Sequence, residues 1–266
     1  MPFFTDQCNR TISLPGTPLR IVSLVPSQTE LLYDLGLTES VVGITKFCVH
    51  PEKWFRSKTR VGGTKYVNMD IVHSLQPDLV IANKEENTKE QVDAIAANYP
   101  VWISDIGSLK DALQMINDIG DITGTMDQAN DLIVKIDTGF LELSEQVKIK
   151  KHKPATAYFI WQNPYMAAGG DTFIHSMMEH CGLENIFKDT ARYPEATIEH
   201  LQNANCRLLL LSSEPFPFKE KHIETLQQQL PDTKILLADG EMFSWYGSRL
   251  LHAPTYFKQL LKQVWK

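Results

Sequence analysis

No stretch of this 266-residue chain is apolar for long enough to cross a membrane, which takes about 20 such residues. Positive charge is also scarce. Lys and Arg number 26 against 32 Asp and Glu, and the net charge of −6 argues against a nucleic-acid binder, which needs a basic face. The four cysteines, Cys8, Cys48, Cys181 and Cys206, are scattered, with no CxxC pair and no zinc-type spacing. Reduced, packed thiols are the expectation. The first twenty residues lack a basic segment followed by an apolar run, so no signal peptide is expected in the chain as given. That leaves open a trimmed export signal or a cytosolic protein. Catalytic signatures are absent as well: there is no GxSxG, HExxH, Walker-type loop or dinucleotide fingerprint. Ala168-Gly169-Gly170-Asp171 is glycine-rich without a Lys or Ser/Thr placed for phosphate, and reads as a tight turn before a helix. The chain is not read as an enzyme, and no cofactor is expected.

What is present is an α/β pattern around one long helix. With 43% hydrophobic and 22% charged residues the chain reads as a globular protein of one large or two ordinary domains. From about Thr125 to Lys148 apolar residues recur at helical spacing: Ala129, Leu132, Ile133, Ile136, Phe140, Leu143 and Val147. Such a helix spans about 36 Å. On both sides short apolar runs alternate with helical patterns. Strand, helix and strand in series favour parallel sheets with right-handed crossovers. The expected architecture is two Rossmann-like α/β lobes, residues 1–124 and 151–266, joined by a backbone helix over 125–150. Residues 5–14 read as a hairpin turning near Asn9-Arg10. Ser27 and Glu30 read as a capping box that starts a helix ending near Gly36. EMFSWYGS, before the last helix, reads as a loop, and Pro254 as the point where that helix kinks or restarts.

An internal repeat sharpens this picture. MDIVHSLQPDLVIANKEENTKEQVDAIAANYPVWISD and IEHLQNANCRLLLLSSEPFPFKEKHIETLQQQLPDTKILLADG share the order short helix, strand, helix, proline, strand. Aligning Leu79 with Leu208 puts Asp70 and Glu199 in the same place, nine residues ahead of each strand. Each acid falls in the first turn of a short helix, where the helix dipole favours it. That local role explains each singly but not their match. A pair of acids, one per lobe, suits docking on a two-fold symmetric partner with basic residues.

Two related lobes predict a cleft between them, with ligands at the carboxyl ends of the strands. The loops there offer Phe47, His50, Tyr66, Lys84, Trp161, Tyr165, Met166, Glu241, Trp245 and Tyr246 as ligand-binding residues. Many aromatics with few charges suit a bulky planar or greasy ligand. Cys48 and His50, two apart in one loop, are weak candidates for a metal contact, and no dedicated metal site is expected. Glu85 and Glu86 read as a solvated loop. The histidines at 73, 175, 180, 200, 222 and 252 read as surface or packing residues.

Val22-Ser-Leu-Val-Pro-Ser-Gln-Thr-Glu30, Gln76-Pro-Asp-Leu-Val-Ile-Ala82 and Cys181-Gly-Leu-Glu-Asn-Ile-Phe-Lys-Asp189 resemble the helical-backbone substrate-binding proteins of ABC importers, nearest to the cobalamin-binding type. The resemblance covers almost the whole chain. It implies a monomeric bilobed receptor, periplasmic or at the membrane surface, that holds cobalamin or a ferric siderophore between its lobes. It also implies delivery to an ABC permease dimer, with Asp70 and Glu199 docking on permease arginines, Tyr66 as a ligand-facing aromatic and Glu241 as the acid of the last loop. Two positions depart from the cobalamin type. Asn83 stands where that type has a tryptophan, and Lys258 stands where the partner of Cys181 would be. The alternative is a cytosolic protein that handles a corrinoid or metal complex through Cys48 and His50.

Overall fold

A computed structural model describes residues 1–150 and 152–265. The chain forms two compact units. The first comprises residues 1–106, 110–134 and 246–249; the second comprises 107–109, 135–245 and 250–266.

The first unit opens with the expected hairpin, β1 (Phe3–Thr5) antiparallel to β2 (Thr11–Ser13). Asn9 takes a positive φ of 61° in its turn. Asp6 Oδ1 accepts from the Cys8 and Arg10 amides at 2.9 and 2.8 Å, holding that turn closed. Then come β3 (Ile21–Ser23), α1 (Pro26–Asp34), β4 (Val41–Ile44), α2 (Glu52–Ser57), β5 (Thr59–Arg60), α3 (Met69–Leu75), β6 (Leu79–Asn83), α4 (Lys89–Ala96), β7 (Val101–Ser104) and α5 (Leu109–Thr123). The five strands after the hairpin form one parallel sheet in the order β5-β4-β3-β6-β7. Every residue of β3, β6 and β7 is buried, the pattern of parallel strands covered on both faces.

Two local expectations change here. The Ser27–Glu30 capping box does not form: α1 starts at Pro26 with Val25 as an N-cap lacking a side-chain bond. Proline has no amide to satisfy and its φ is already helical, so it starts the helix by itself. Glu30 is used elsewhere, accepting from Arg249 Nε and NH2 at 2.9 and 2.7 Å. The loop expected to carry Cys48 and His50 is short, since α2 begins at Glu52.

The long helix is α6 (Met126–Lys148), 23 residues. Ala129, Leu132, Ile136, Phe140 and Leu143 are buried, while Val134 and Leu141 on other faces are exposed. Residues through Val134 pack with the first unit and those from Lys135 with the second. At Gly120 an added Cβ would lie 2.5 Å from Ala129 Cβ, so α5 and α6 are packed too closely for any side chain there.

The second unit contains β8 (Ala155–Trp161), β9 (Met166–Ala167), α7 (Phe173–His180), β10 (Glu184–Asn185), α8 (Ile198–Asn203), β11 (Leu208–Ser212), α9 (Glu220–Gln227), β12 (Lys234–Ala238), α10 (Gly240–Ser244) and α11 (Ala253–Val264). Its parallel sheet runs β10-β8-β11-β12, with β9 antiparallel on β8. Ala157, Phe159, Leu209 and Leu211 meet Phe218, Leu226 and Leu230 in one core cluster. The Phe243 ring sits 4.9 Å from Tyr158 and 4.7 Å from Phe257 in another. That anchor makes the first half of EMFSWYGS helical and leaves residues 245–247 as loop: α10 starts after Asp239, whose Oδ1 accepts from the Glu241 amide at 3.1 Å. Pro254 lies in the first turn of α11, which follows a short 3-10 turn over Ser248–Leu251, so the proline restarts the helix. The Gly169-Gly170 pair is a close backbone approach. A Cβ on Gly170 would stand 1.8 Å from Lys188 O, and its amide donates to Thr190 O at 2.8 Å. Among the described residues no helix is long and apolar enough to cross a membrane.

Candidate binding surfaces at the carboxyl ends of the sheets

In the first unit the strand ends carry a buried polar layer. Ser23, Asn83 and Ser104 are the last residues of β3, β6 and β7. Asn83 binds in several directions. Its Nδ2 donates to Ser104 Oγ at 3.0 Å, and its Oδ1 accepts from the Glu85 and Glu86 amides at 2.8 and 3.0 Å. Its own amide donates to Asn87 Oδ1 at 2.9 Å. Gln28 Nε2 donates to Ser104 Oγ at 2.5 Å. Asn83 thus shapes the loop from within instead of presenting a face to a ligand. The sequence marks it only as a departure from the cobalamin type.

Cys48 belongs to this layer. It is fully buried, with its Sγ 3.1 Å from Thr29 Oγ1 and 3.2 Å from Thr45 Oγ1. Burial pushes its thiol pKa up, away from the thiolate that a metal or an electrophile would need. The thiol is thus enclosed by the lobe, and His50, two residues on, is half-buried. Among the described residues no group of three or more His, Cys, Asp and Glu could hold a metal ion.

Above this layer Phe47 and Tyr66 are 51% and 76% exposed. Their loops adjoin, since a Cβ on Gly63 would lie 3.2 Å from Phe47 Cε2. Lys46 Nζ lies 5.1 Å from the centre of the Phe47 ring. Lys84 pairs with Asp105 at 2.5 Å. The expectation of two solvated acids fails at Glu86, which is partly buried. Desolvation raises its pKa, opposed by the charge of Lys65 and reinforced by that of Glu85. A run of charged letters conceals such a residue; only the turn closed by Asn83 folds it inward.

The second unit is built differently. Trp161 ends β8 with 41% of its surface exposed, its ring 5.8 Å from that of Phe216. Tyr165 stacks on Phe159 at 5.1 Å and so supports the lobe core. Met166, in β9, pairs with Trp161. The Trp245 indole is buried and donates to Glu214 Oε1 at 3.0 Å, which also accepts from Ser244 Oγ at 2.7 Å. Glu214, hidden in the proline-rich EPFPF loop, has no sequence signal of its own. An open groove of about 490 Å³ is lined by Ser213, Glu214, Phe218, Asp239 and Glu241 among others. Tyr246, also buried, packs with the first unit in the short segment 246–249. Of the ten residues expected at the ligand, the structure exposes the rings of Phe47, Tyr66 and Trp161 and buries those of Trp245 and Tyr246.

Asp70 and Glu199 are both exposed and both second in their helices. The caps that precede them are equivalent in role: Asn68 Oδ1 accepts from the Ile71 amide at 3.2 Å, and Thr197 Oγ1 accepts from the His200 amide at 3.1 Å. His200 and His222 are themselves capping groups, accepting from the Thr197 and Lys219 amides. All four cysteines are free, and Lys258 pairs with Glu142 at 2.9 Å where the cobalamin type would offer Cys181 a partner.

Comparison with known proteins follows the same lines. An uncharacterized ABC transporter substrate-binding lipoprotein, YvrC, of Bacillus subtilis is 29% identical over 208 residues, 75% of this chain and 65% of that protein's length. The vitamin B12-binding protein of Photorhabdus laumondii is 24% identical over 254 residues, 95% of this chain and 90% of that one. The periplasmic heme-binding protein RhuT of Roseiflexus sp. RS-1 superimposes with a TM-score of 0.78 at 22% identity, over 94% of this chain and all of that one, a likeness of fold. Residues 21–236 match the periplasmic binding protein family, and with both sheets, the shared helix and the repeated strand-helix order in place, the chain belongs to that family.

Proposed function

We propose that this chain is the substrate-binding component of an ABC importer, that it captures a metal-chelate ligand, cobalamin or a ferric siderophore, at the carboxyl edges of its sheets, and that it works in the periplasm or at a membrane surface as a monomer. The observation that carries this reading is the family match over most of the chain, with a vitamin B12-binding relative aligned across 95% of it. The exposed rings of Phe47 and Tyr66 on adjoining loops, and that of Trp161, support a large apolar ligand, since such rings offer faces on which it can stack. Asp70 and Glu199 dock the protein on an ABC permease dimer, each aimed from the start of an equivalent helix. Lys84, His50, Glu241 and Met166 supply the polar and soft edges of the ligand surface.

The test is a thermal-shift and visible-absorption titration of the pure protein against cobalamin, cobinamide, haem and two ferric siderophores. At about 100-fold excess over Kd, one-site binding stabilises the fold by about 2.7 kcal/mol. One strong response names the ligand. No response across the panel overturns the metal-chelate assignment.

A further inference from the structure

The amino edge of the second sheet carries a surface the ligand-binding reading does not use. Helix α6 ends at Lys148, which opens the sequence Lys-Ile-Lys-Lys-His-Lys over residues 148–153, of which Lys151 lies outside the described residues. Lys148, Lys150, His152 and Lys153 are exposed. Two cavities sit beside them, of about 290 and 440 Å³, and both are lined by His152 and Lys153. Arg207 lines the larger one. Its amide donates to Ala155 O at 2.8 Å, which fixes it at the start of β11 next to the start of β8. Lys234, exposed, starts β12 in register with Leu208. Acids are present too: Glu145 pairs with Lys148 and offsets that cation, Glu184 pairs with Lys188, and Glu179, at the smaller cavity, lies 3.7 Å from His175. Apolar groups stand among the cations: Ile149 is 80% exposed, and Lys150 Nζ lies 5.0 Å from the centre of the Trp265 ring. In a chain of net charge −6 this edge is a local reversal of sign.

We propose that this edge is a docking surface for an anionic lipid membrane. Clustered Lys and Arg are drawn to anionic headgroups, each by roughly a fivefold gain in partitioning, and the attraction fades within a Debye length. A soluble polyanion needs charge alone. A bilayer also rewards an exposed aliphatic and an indole at headgroup depth, and Ile149 and Trp265 provide them. Resting on the membrane confines the receptor to a plane and raises its local concentration there.

The experiment is vesicle co-flotation of the intact protein with neutral phosphatidylcholine and with vesicles holding about 40% phosphatidylglycerol, a strongly anionic surface. Binding is expected to the anionic vesicles only, and to fall at least about tenfold when salt is raised to about 0.5 M. The triple variant Lys150→Glu, Lys153→Glu, Arg207→Glu should lose it by a similar factor with an unchanged melting temperature. Ile149→Asp should weaken it severalfold at constant salt. Equal flotation with both vesicle types, or full binding by the triple variant, overturns the proposal. So does heparin binding without vesicle binding, which assigns the edge to a soluble polyanion instead.

Discussion

Asn83 and Ser212 end equivalent strands, β6 and β11, yet the edges they close are chemically unlike. Asn83 ties down Glu85, Glu86, Asn87 and Ser104 and turns its loop into a buried polar knot with Cys48 and Gln28 nearby. Ser212 accepts from Tyr158 OH at 3.1 Å and from the Glu214 amide at 3.3 Å, and the rest of its edge is an acid-lined groove. Ahead of both strands the two units agree: a capped short helix with an exposed acid in second position. The repeat has kept its outward acids and let its strand ends diverge.

The largest expected effect breaks the part that is alike. Asp70→Lys with Glu199→Lys should abolish ligand delivery in a reconstituted or cellular uptake assay while leaving the ligand Kd within about twofold, because exposed charges steer docking more than they hold the fold. Each single reversal should retain partial delivery. Wild-type uptake by the double variant would remove both residues from the docking role.

The next effect sharpens the part that differs. Asn83→Leu strands the Glu85 and Glu86 amides and removes one of the donors to Ser104 Oγ inside the first unit, and should cost about 2–4 kcal/mol in chemical denaturation. Ser212→Ala strands the Tyr158 hydroxyl and the partly buried Glu214 amide and should cost about 1–2 kcal/mol. Equal losses would mean that the two strand ends carry the same structural weight. Smaller again, Trp245→Phe removes the indole bond to Glu214 while keeping an aromatic ring. It should cost about 1 kcal/mol, with no more than a mild change in ligand affinity if the indole serves the lobe rather than the ligand.

Period and punctuation made most of the fold legible. The apolar stripe of α6, the buried runs of β3, β6, β8 and β11, the turn at Asn9 and the restart at Pro254 each depend on neighbours a few residues apart, which a sequence displays directly. The matched acids were legible because a repeat doubles a weak signal. What stayed hidden depends on tertiary partners. Glu30 looks like half of a capping box until Arg249, 219 residues away, is seen to hold it. Trp245 and Tyr246 carry the same letters as an exposed ligand wall, and only packing shows them covered. Glu214 lies among prolines with no pattern, and becomes visible through the two donors it accepts.

Glu86 offers the smallest test and the most specific one for the first edge. Its pKa is raised chiefly by desolvation, so the folded protein favours the protonated carboxyl. At a pH below the ordinary carboxylate range the side chain is protonated in both folded and unfolded chains and contributes no penalty. As pH rises through that range and past the raised folded value, ionising Glu86 costs stability that a neutral isostere does not lose. Glu86→Gln should therefore match wild type near about pH 4 and become the more stable of the two by about pH 7, a gap read from melting temperatures across that range. The equivalent edge of the second unit provides the contrast. Glu214 accepts two hydrogen bonds, so Glu214→Gln should weaken those bonds and destabilise at neutral pH. Opposite signs for the two substitutions at about pH 7 would separate a carboxyl confined by burial from one held by donors. The same sign for both would mean that the loop after β6 opens to solvent and that Asn83 does not fold it inward.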